Sequence, residues 1–246
     1  MKNEGRYLNE FIAFHLGHQV EHFYLYDNND VDDGTIEVCK KYEKVVTRIA
    51  CPGKARQYEA FMDGLAKGKE NTRWLAFLDI DEFLYPTQFV MLPSLLLLYE
   101  RFPALCVHRY SFGNNGHETY TPIPVIERFT KRGDTVDPHI KSIVNPNLTE
   151  KWITAHKFLH LTPAVDENYT NIPDLESCPE PATANFIAIN HYRIKSLEES
   201  KERRLRPRAS NGEMLPMEGF YETYNKNEVE DLRALNRWLK IKEIYY

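Results

Sequence analysis

The chain has 246 residues, of which 42% are hydrophobic and 13% aromatic, and its formal net charge is −5. This length gives one large domain or two small ones, with enough apolar side chains for a core. The negative net charge gives no general reason to expect nucleic acid as a partner, and no apolar run reaches the roughly 18–20 residues of a transmembrane helix.

The N-terminus and the cysteines indicate a soluble intracellular enzyme or binding domain. The opening MKNEGRYLNE lacks the apolar region of a signal peptide. The cysteines are widely spaced, without a CxxC pair, which predicts reduced thiols rather than a disulfide framework. They are Cys39, Cys51, Cys106 and Cys178.

The first ninety residues alternate between predicted helices and strands. Apolar residues at helical spacing predict the helices, and short apolar runs bounded by turn residues predict the strands. In chain order they are helix Tyr7–Leu16, strand Val20–Tyr26, helix Thr35–Glu43, strand Val45–Cys51, helix Ala55–Lys69 and a strand opening at Trp74. This alternation predicts a mostly parallel sheet with helical crossovers, whose ligands lie beyond the carboxyl ends of the strands.

The second half has a less regular pattern. Ser196 with Glu199 three residues later forms a capping box at the start of a charged helix. The predicted elements are helix Pro93–Phe102, strand Ala104–Phe112, strands or edge segments Val125–Phe129 and His139–Val144, a strand pattern over Trp152–Leu161, a loop or lid over Thr162–Thr183, strand Phe186–Tyr192, helix Ser196–Arg206 and helix Val229–Ile241.

The stretch Trp74–Leu84 runs from apolar residues straight into three carboxylates, Asp79, Asp81 and Glu82. Acidic side chains are rarely buried unless they are paired or bound to a metal. Alternation along a strand would place Asp79 and Asp81 on one face, where they could share a divalent ion. Oxygen ligands favour Mg²⁺ or Mn²⁺. The alternative interpretation is a solvated turn after a strand.

Three further groups of residues are candidates for binding. Asp27-Asn28 ends another strand and could hold a nucleoside, or could simply form a polar turn. His191 could complete a metal site, or could be a structural histidine. The basic run Lys201–Arg208 could neutralise a diphosphate, rest on anionic lipid, or form a solvated helix face.

Many short motifs then recur in the order known from one group of enzymes. Through them the chain resembles the glycosyltransferase family 92-like and family 2-like group of GT-A glycosyltransferases, over residues 2–205. The matching segments are Lys2-Asn3-Glu4, Phe23–Asn29, Asp33-Gly34-Thr35, Arg56-Gln57, Trp74–Leu84, Phe112-Gly113, Gly116-His117, Glu127-Arg128-Phe129, Lys141–Val144, His156, Asn190-His191-Tyr192 and Lys195-Ser196.

The resemblance implies an α/β GT-A fold, a mixed sheet flanked by helices, that binds a nucleotide-sugar with Mn²⁺ or Mg²⁺. The implied donor-binding residues are Asn3, Glu4, Asp27, Asn28, Arg56, Gln57, Asp79 and Lys141, and the implied metal ligands are Asp79, Asp81 and His191.

The implied activity is that of a hexosyltransferase. It would move a sugar from a donor, UDP-linked by default, to a glycan, lipid-linked or protein hydroxyl, as in polysaccharide biosynthesis. Inversion at the sugar requires a base that deprotonates the acceptor, and the candidates are His117, Glu118 and Asp137.

The resemblance also sets expectations for the organisation of the chain. The family's first strand normally precedes Lys2-Asn3-Glu4, so that strand is expected to be missing here. We expect a GT-A domain over residues 1–205 and a helical extension over 206–246. The expected location is cytoplasmic, with peripheral membrane contact through Lys201–Arg208.

Two other functions compete with this one. A phosphohydrolase of the haloacid-dehalogenase kind also places Asp-x-Asp after a strand, but it expects Thr or Val where Phe83 stands. The other alternative is a catalytically silent module that binds nucleotide-sugars.

Overall fold

The computed structural model describes residues 1–173, 176–207, 211–214 and 219–246. Two 3₁₀ turns, Leu97–Tyr99 and Pro146–Leu148, accompany the α-helices. The helices are α1 (Gly5–Gly17), α2 (Thr35–Lys41), α3 (Gln57–Asn71), α4 (Leu92–Leu96), α5 (Val125–Arg128), α6 (Leu197–Arg204), α7 (Phe220–Tyr224) and α8 (Arg233–Tyr245).

The strands form one large mixed sheet and three two-stranded pairs within the described residues. The strands are β1 (Phe23–Asp27), β2 (Val46–Ala50), β3 (Leu75–Ala76), β4 (Glu82–Pro86), β5 (Ala104–Ser111), β6 (Lys131–Arg132), β7 (Asp137–Val144), β8 (Thr149–Trp152), β9 (Phe158–His160), β10 (Ala164–Val165), β11 (Asn171–Ile172), β12 (Ile187–His191) and β13 (Val229–Glu230). The architecture is therefore α/β, with a mixed sheet flanked by helices.

One path through the large sheet determines where the carboxylates lie. β3 pairs with β7, β7 with β5, β5 with β12 and β12 with β4. β3 and β4 thus stand at opposite ends of this path, and the connection 77–81 must cross between them. It leaves β3 at its carboxyl end, the end at which β5 and β12 also finish, so it passes three neighbouring strands.

Three sequence predictions about these elements are wrong. The run from Trp74 is not one strand, because it bends after Ala76 and forms β4 only from Glu82. The sheet is not mostly parallel: β1 and β2 form a separate parallel pair, and the large sheet contains antiparallel pairs on both sides of β5.

The third wrong prediction is the strand at Val125–Phe129, where the structure has the helical turn α5. The backbone N–H of Phe129 donates to the carbonyl of Val125 at 3.0 Å. The N–H of Val125 donates to a side-chain oxygen of the buried Glu10 at 2.8 Å. An acceptor at this position satisfies a donor that a helix start leaves unpaired, which favours the turn over a strand.

The other predicted elements are present, with shifted ends. α6 has the predicted capping box, with Ser196 and Glu199 bonded reciprocally. The pattern over Trp152–Leu161 becomes the hairpin of β8 and β9, and the loop predicted over Thr162–Thr183 contains β10 and β11, although its residues 174–175 lie outside the described part.

Helix α1 connects the sheet to the rest of the core. Its residues Leu8 and Phe14 are fully buried, and each such side chain contributes about 1.5–3 kcal/mol through burial. His15 donates from Nδ1 to the carbonyl of Phe11 and accepts the Leu84 N–H at Nε2, at 2.8 and 3.1 Å. Burial lowers the pKa of His15 to about 3, so the neutral ring that this pair of bonds requires is maintained.

Helix α8 packs on α1 and α5. Trp238 is fully buried in the cluster that contains the α1 side chains, and its Nε1 donates to Glu127 at 2.7 Å. A Cβ added at Gly17 would lie 2.4 Å from Cγ1 of Ile241, so the two helices are in close contact. The division of the chain at residue 205 stays a prediction.

The cysteine and membrane predictions can be compared directly with the structure. All four cysteines are free thiols, and Cys178 is the exposed one. Across the described ranges, no helix is both long and apolar enough to cross a membrane.

Candidate functional site

Asp79, Asp81 and Glu82 lie in one turn, residues 79–82, which we call the carboxylate turn. It contains the end of the 77–81 connection and the first residue of β4. The turn is closed by two hydrogen bonds between its ends. The N–H of Glu82 donates to the carbonyl of Asp79 at 3.0 Å, and the N–H of Asp79 donates to Oε2 of Glu82, also at 3.0 Å. Glu82 therefore holds the turn closed through both its backbone and its side chain.

Lys141 on β7 neutralises two of the three carboxylates. Its buried Nζ lies 2.9 Å from Oδ2 of Asp79 and 3.1 Å from Oε2 of Glu82. The Glu82 side chain is fully buried, whereas that of Asp79 is 53% exposed. Burial alone would lower the pKa of Lys141, but Asp79 and Glu82 outweigh it and raise that pKa. The ammonium is therefore permanently charged, and Asp79 can face a ligand from the surface.

Arg109 on β5 lies behind Glu82. Its Nη1 is 3.6 Å from Oε1 of Glu82, while its Nε donates to Asp137 at 3.0 Å. A single buried guanidinium thus touches the carboxylate turn and the start of β7. Buried carboxylates need such partners, and the sequence reasoning did not identify this one.

Asp81 faces the end of β12. The N–H of Tyr192 donates to the carbonyl of Asp81 at 2.9 Å. Nε2 of His191 lies 3.6 Å from Oδ1 of Asp81, and Nζ of Lys195 lies 3.8 Å from Oδ2. Burial would raise the pKa of Asp81, but His191 and Lys195 outweigh burial and hold that pKa below its ordinary value. Asp81 is therefore ionised.

The prediction that Asp79 and Asp81 share one face of a strand is wrong, because both lie in a turn that is not extended. Asp79 is directed to β7 and Asp81 to β12. The two carboxylates are still close enough that the charge of Asp81 acts on the pKa of Asp79. The structure brings Asp79, Asp81, Lys141 and His191 together from three segments of the chain.

The N-terminal segment borders Asp81. Burial and the neighbouring Asp81 carboxylate raise the pKa of Glu4, although Lys195 and Arg206 oppose this. Asn3 is held instead by the loop after β1, since its N–H donates to Oδ1 of Asn29 at 2.6 Å. Of the two predicted donor-binding residues here, Glu4 is the one beside the carboxylate turn.

Asp27 and Asn28 lie at the end of β1, and their side chains are engaged within the fold. Asp27 is buried and accepts two nitrogens of Arg48 at 2.7 Å. Asn28 Nδ2 donates to the carbonyl of Gly53 at 2.8 Å. Among the described residues, no hydrogen bond or ion pair joins Asp27 or Asn28 to the carboxylate turn. Their contact with a nucleoside stays a prediction.

Arg56 and Gln57 stand at the start of α3. Arg56 Nη1 donates to Glu59, one helical turn on, at 3.1 Å. Both residues stay predictions as nucleotide contacts.

Two of the predicted bases, His117 and Glu118, lie on the loop after β5. Their carbonyls accept the N–H groups of Leu197 and Glu198 at 3.2 and 2.9 Å, at the start of α6. The His117 ring packs edge-on against Phe129, while Glu118 is exposed. Their role as bases stays a prediction.

The carboxylate of the third predicted base, Asp137, accepts hydrogen bonds from four donors. It accepts Nε of Arg109, Oγ of Ser111 at 3.1 Å, and both the backbone N–H and Nδ1 of His139, at 3.0 and 2.7 Å. Burial would raise the pKa of Asp137, but the bond from His139 and the charge of Arg109 lower it. Its own role as base stays a prediction.

Sequence reasoning missed Arg109, His139 and the position of Lys195. The signal for His139 was present in DPHIKSIV, where the polar residues Asp137, His139 and Lys141 recur with a period of two. Three polar residues in that pattern on an interior strand indicate a functional segment.

Comparison with known proteins assigns the chain to a family. The sequence model described as "Glycosyltransferase family 92" matches residues 3–240. The chain belongs to glycosyltransferase family 92. It is 30% identical over 210 residues to a glycosyltransferase family 92 protein of Oryza sativa subsp. japonica, with 82% of this chain and 34% of the rice protein covered.

Other family 92 proteins give similar values. One from Ricinus communis is 27% identical over 216 residues, covering 82% of this chain and 36% of its own length. One from Arabidopsis thaliana is 31% identical over 160 residues, covering 59% and 28% respectively. The chain thus spans about a third of the length of the curated relatives it matches.

The residues of this family 92 chain fit a divalent ion that arrives with a phosphate ligand. Within the described ranges, no three His, Cys, Asp or Glu side chains form a complete metal group. Magnesium, however, is usually held by one or two carboxylates plus phosphate and water. Asp79 and Asp81 supply such oxygens, and the buried Nδ1 of His191 has no hydrogen-bond partner in the described part of the chain.

Proposed function

We propose that this chain is a metal-dependent GT-A glycosyltransferase of the hexosyl-transferring type. It takes a nucleotide-sugar, by default UDP-linked, and transfers the sugar with inversion to a hydroxyl of a glycan, lipid-linked or protein acceptor. The observation that carries the proposal is the carboxylate turn: a family 92 chain presents ionised Asp81 and half-exposed Asp79 at the carboxyl end of a mixed sheet.

The metal would be Mn²⁺ or Mg²⁺, held by Asp79, Asp81 and His191. When bound, the ion supplies a Lewis acid that offsets the charge developing on the leaving diphosphate. The buried Nζ of Lys141 holds Asp79 through Oδ2, while the rest of the Asp79 carboxylate stays exposed to solvent. Ligands fixed in this way need little rearrangement when the donor binds.

Positive side chains around Asp81 favour the diphosphate. Lys195 has a left-handed backbone, with φ of 56°, and its Nζ lies near Asp81 and 4.7 Å from the Tyr7 ring centre. Such a conformation costs about 1–3 kcal/mol in a residue other than glycine. Arg203 adds to the charge around Asp81, and Arg206 donates to the carbonyl of Asn3 at 3.0 Å.

These contacts support a role in the site for Arg203 and Arg206 of the basic run Lys201–Arg208. Arg206 donates to the N-terminal segment, the charge of Arg203 acts on Asp81, and Arg204 is buried. Arg208, the last residue of that run, lies outside the described residues. We therefore assign this run to the diphosphate rather than to a lipid surface.

Thermal unfolding with UDP and Mn²⁺ tests the proposal. We expect the midpoint temperature of the wild-type chain to rise when both are present, because ligands that bind the folded state stabilise it. Asp81→Ala should lose that rise. Asp134→Ala removes the same charge from an exposed position and should retain it.

Hydrolysis of the donor separates an enzyme from a silent binding module. The wild type should release UDP from at least one of UDP-glucose, UDP-galactose and UDP-N-acetylglucosamine with Mn²⁺, and Asp81→Ala should not. Stabilisation by UDP and Mn²⁺ without any release would favour the silent module. No stabilisation by UDP, GDP or CDP with Mn²⁺ or Mg²⁺ would refute the proposal.

A further inference from the structure

Asp137 and His139 form a carboxylate–imidazole pair at the edge of the proposed site. Nδ1 of His139 lies 2.7 Å from Oδ1 of Asp137, and the His139 N–H donates to the same oxygen at 3.0 Å. A carboxylate only accepts, so Nδ1 carries the proton and the lone pair of the neutral ring is on Nε2. The His139 side chain is 40% exposed, whereas that of Asp137 is 15% exposed.

The pair is fixed by its surroundings. Oδ2 of Asp137 accepts Nε of Arg109 at 3.0 Å and Oγ of Ser111 at 3.1 Å. With both oxygens occupied, the Asp137 carboxylate cannot turn toward an acceptor. Its geometry instead resembles the orienting carboxylate of a catalytic triad, which fixes the tautomer of a histidine and stabilises its charged form.

Arg109 places this pair next to the carboxylate turn. The guanidinium that holds Asp137 also lies 3.6 Å from Glu82. Lys141, which binds Asp79, follows His139 by two residues on β7, and the charges of Lys141 and Arg109 both act on His156, whose ring centre lies 5.5 Å from that of His139. The imidazole thus stands beside the part of the site where the reacting sugar would lie.

The charged and titratable groups around His139 come from three other segments besides its own strand. β5 contributes Arg109, the segment before β9 contributes His156, and the segment after residue 175 contributes Cys178, which senses Asp137 and Arg109. His156 is 5.5 Å away, ring centre to ring centre, and donates from Nδ1 to the carbonyl of Ile140. Of the two imidazoles, His139 is the one paired with a carboxylate.

We propose that His139 is the catalytic base that deprotonates the acceptor hydroxyl, and that Asp137 is its positioning residue. This inference rests on the proposed function. The acceptor O–H proton moves to Nε2 of His139, and the freed electron pair of the oxygen bonds to the anomeric carbon. The bond from that carbon to the diphosphate oxygen breaks, and the nucleoside diphosphate leaves with its electron pair. His139 and Asp137 then form an ion pair.

The test compares His139→Gln with the wild type in donor turnover and in UDP binding. UDP release from the three UDP-sugars with Mn²⁺ gives kcat, and calorimetry gives the Kd for UDP with Mn²⁺. We expect His139→Gln to lower kcat by about 10²–10⁴-fold, the usual contribution of a general base, while the Kd changes less than about twofold. The acidic limb of the pH–rate profile should disappear. His22→Gln, which alters an exposed histidine bonded to Thr47, is the matched control.

Nitrogen-15 spectra of the imidazoles test the role of Asp137. The neutral His139 ring of the wild type should carry its proton on Nδ1 and none on Nε2, and Asp137→Asn should disturb that tautomer and lower kcat without raising KM in proportion. If His139→Gln kept the kcat of the wild type, or if the neutral His139 ring carried its proton on Nε2, this inference would be overturned and the proposed function would stand. No turnover and no UDP binding in the wild type would overturn the proposed function, and this inference with it.

Discussion

Replacing Lys141 with methionine should destabilise the fold strongly, because it leaves the Glu82 carboxylate buried with weaker compensation. Lys141 contacts fully buried Glu82 at 3.1 Å and 53% exposed Asp79 at 2.9 Å. Removing one member of a buried ion pair costs about 3–5 kcal/mol, whereas an exposed pair contributes about 0–1 kcal/mol. Arg109 remains 3.6 Å from Glu82, so we expect the low end, about 3 kcal/mol in the free energy of unfolding.

Urea unfolding at pH 7, followed by circular dichroism, measures this loss as a shift of the midpoint at constant slope. The double variant Lys141→Met/Glu82→Gln removes both charges and should recover at least half of the loss, because neutralising both partners is far less costly than removing one. Asp79→Asn, which alters the exposed partner, should cost about 1 kcal/mol or less. If Lys141→Met cost no more than Asp79→Asn, or the double variant recovered nothing, the assignment of Glu82 as the buried charge would be refuted.

Two other predictions concern glycine packing and acid stability. Gly5→Ala should lower the midpoint temperature of unfolding, with a loss of about 1–3 kcal/mol in the free energy of unfolding, because its Cβ would lie 2.5 Å from the carbonyl oxygen of Asp33. Gly64→Ala, inside α3, should raise the midpoint, because its Cβ would lie 3.5 Å or more from its neighbours. A fall of the midpoint in both variants, or in neither, would contradict this reasoning. Burial lowers the pKa of His18 to about 4, so the folded state keeps it neutral while the unfolded chain binds a proton below about pH 6.5. Stability is then lost as pH falls from about 6.5 to 4, by about 1.4 kcal/mol per pH unit, and His18→Leu should flatten that slope in urea titrations at pH 6, 5 and 4.5; parallel slopes would count against it.

Local patterns in the sequence predicted the helices well, because helical periodicity is written into neighbouring residues. α1 and α3 match the predicted spacing, and the capping box of Ser196 and Glu199 fixes the start of α6. The same reasoning failed at Trp74–Leu84. An apolar run does not show where it bends, since the bend depends on β7 and β12 as pairing partners far along the chain.

The candidate site was predicted as a set of carboxylates but not as a network. Asp79 and Asp81 stand out because acidic residues follow an apolar run. Lys141 and His191, which face Asp79 and Asp81, and Arg109, which faces Glu82, come from three strands. The pairing of β5 with β7 also contains an irregularity between His108 and Arg109. The register across such an irregularity cannot be derived from either strand alone, so the link from Arg109 to Asp137 required the structure.

The contact between α1 and α8 has a consequence for how the chain folds. Gly17 and Ile241 touch, yet they lie at opposite ends of the sequence, so the loop between them must close before this part of the core exists. During synthesis α1 emerges before α8, so the part of its apolar surface that α8 covers stays exposed until Trp238 arrives. Interruption of translation before α8 would therefore leave an intermediate with exposed apolar surface that is prone to aggregation. In cells, the yield of soluble protein should depend on chaperones that shield that surface.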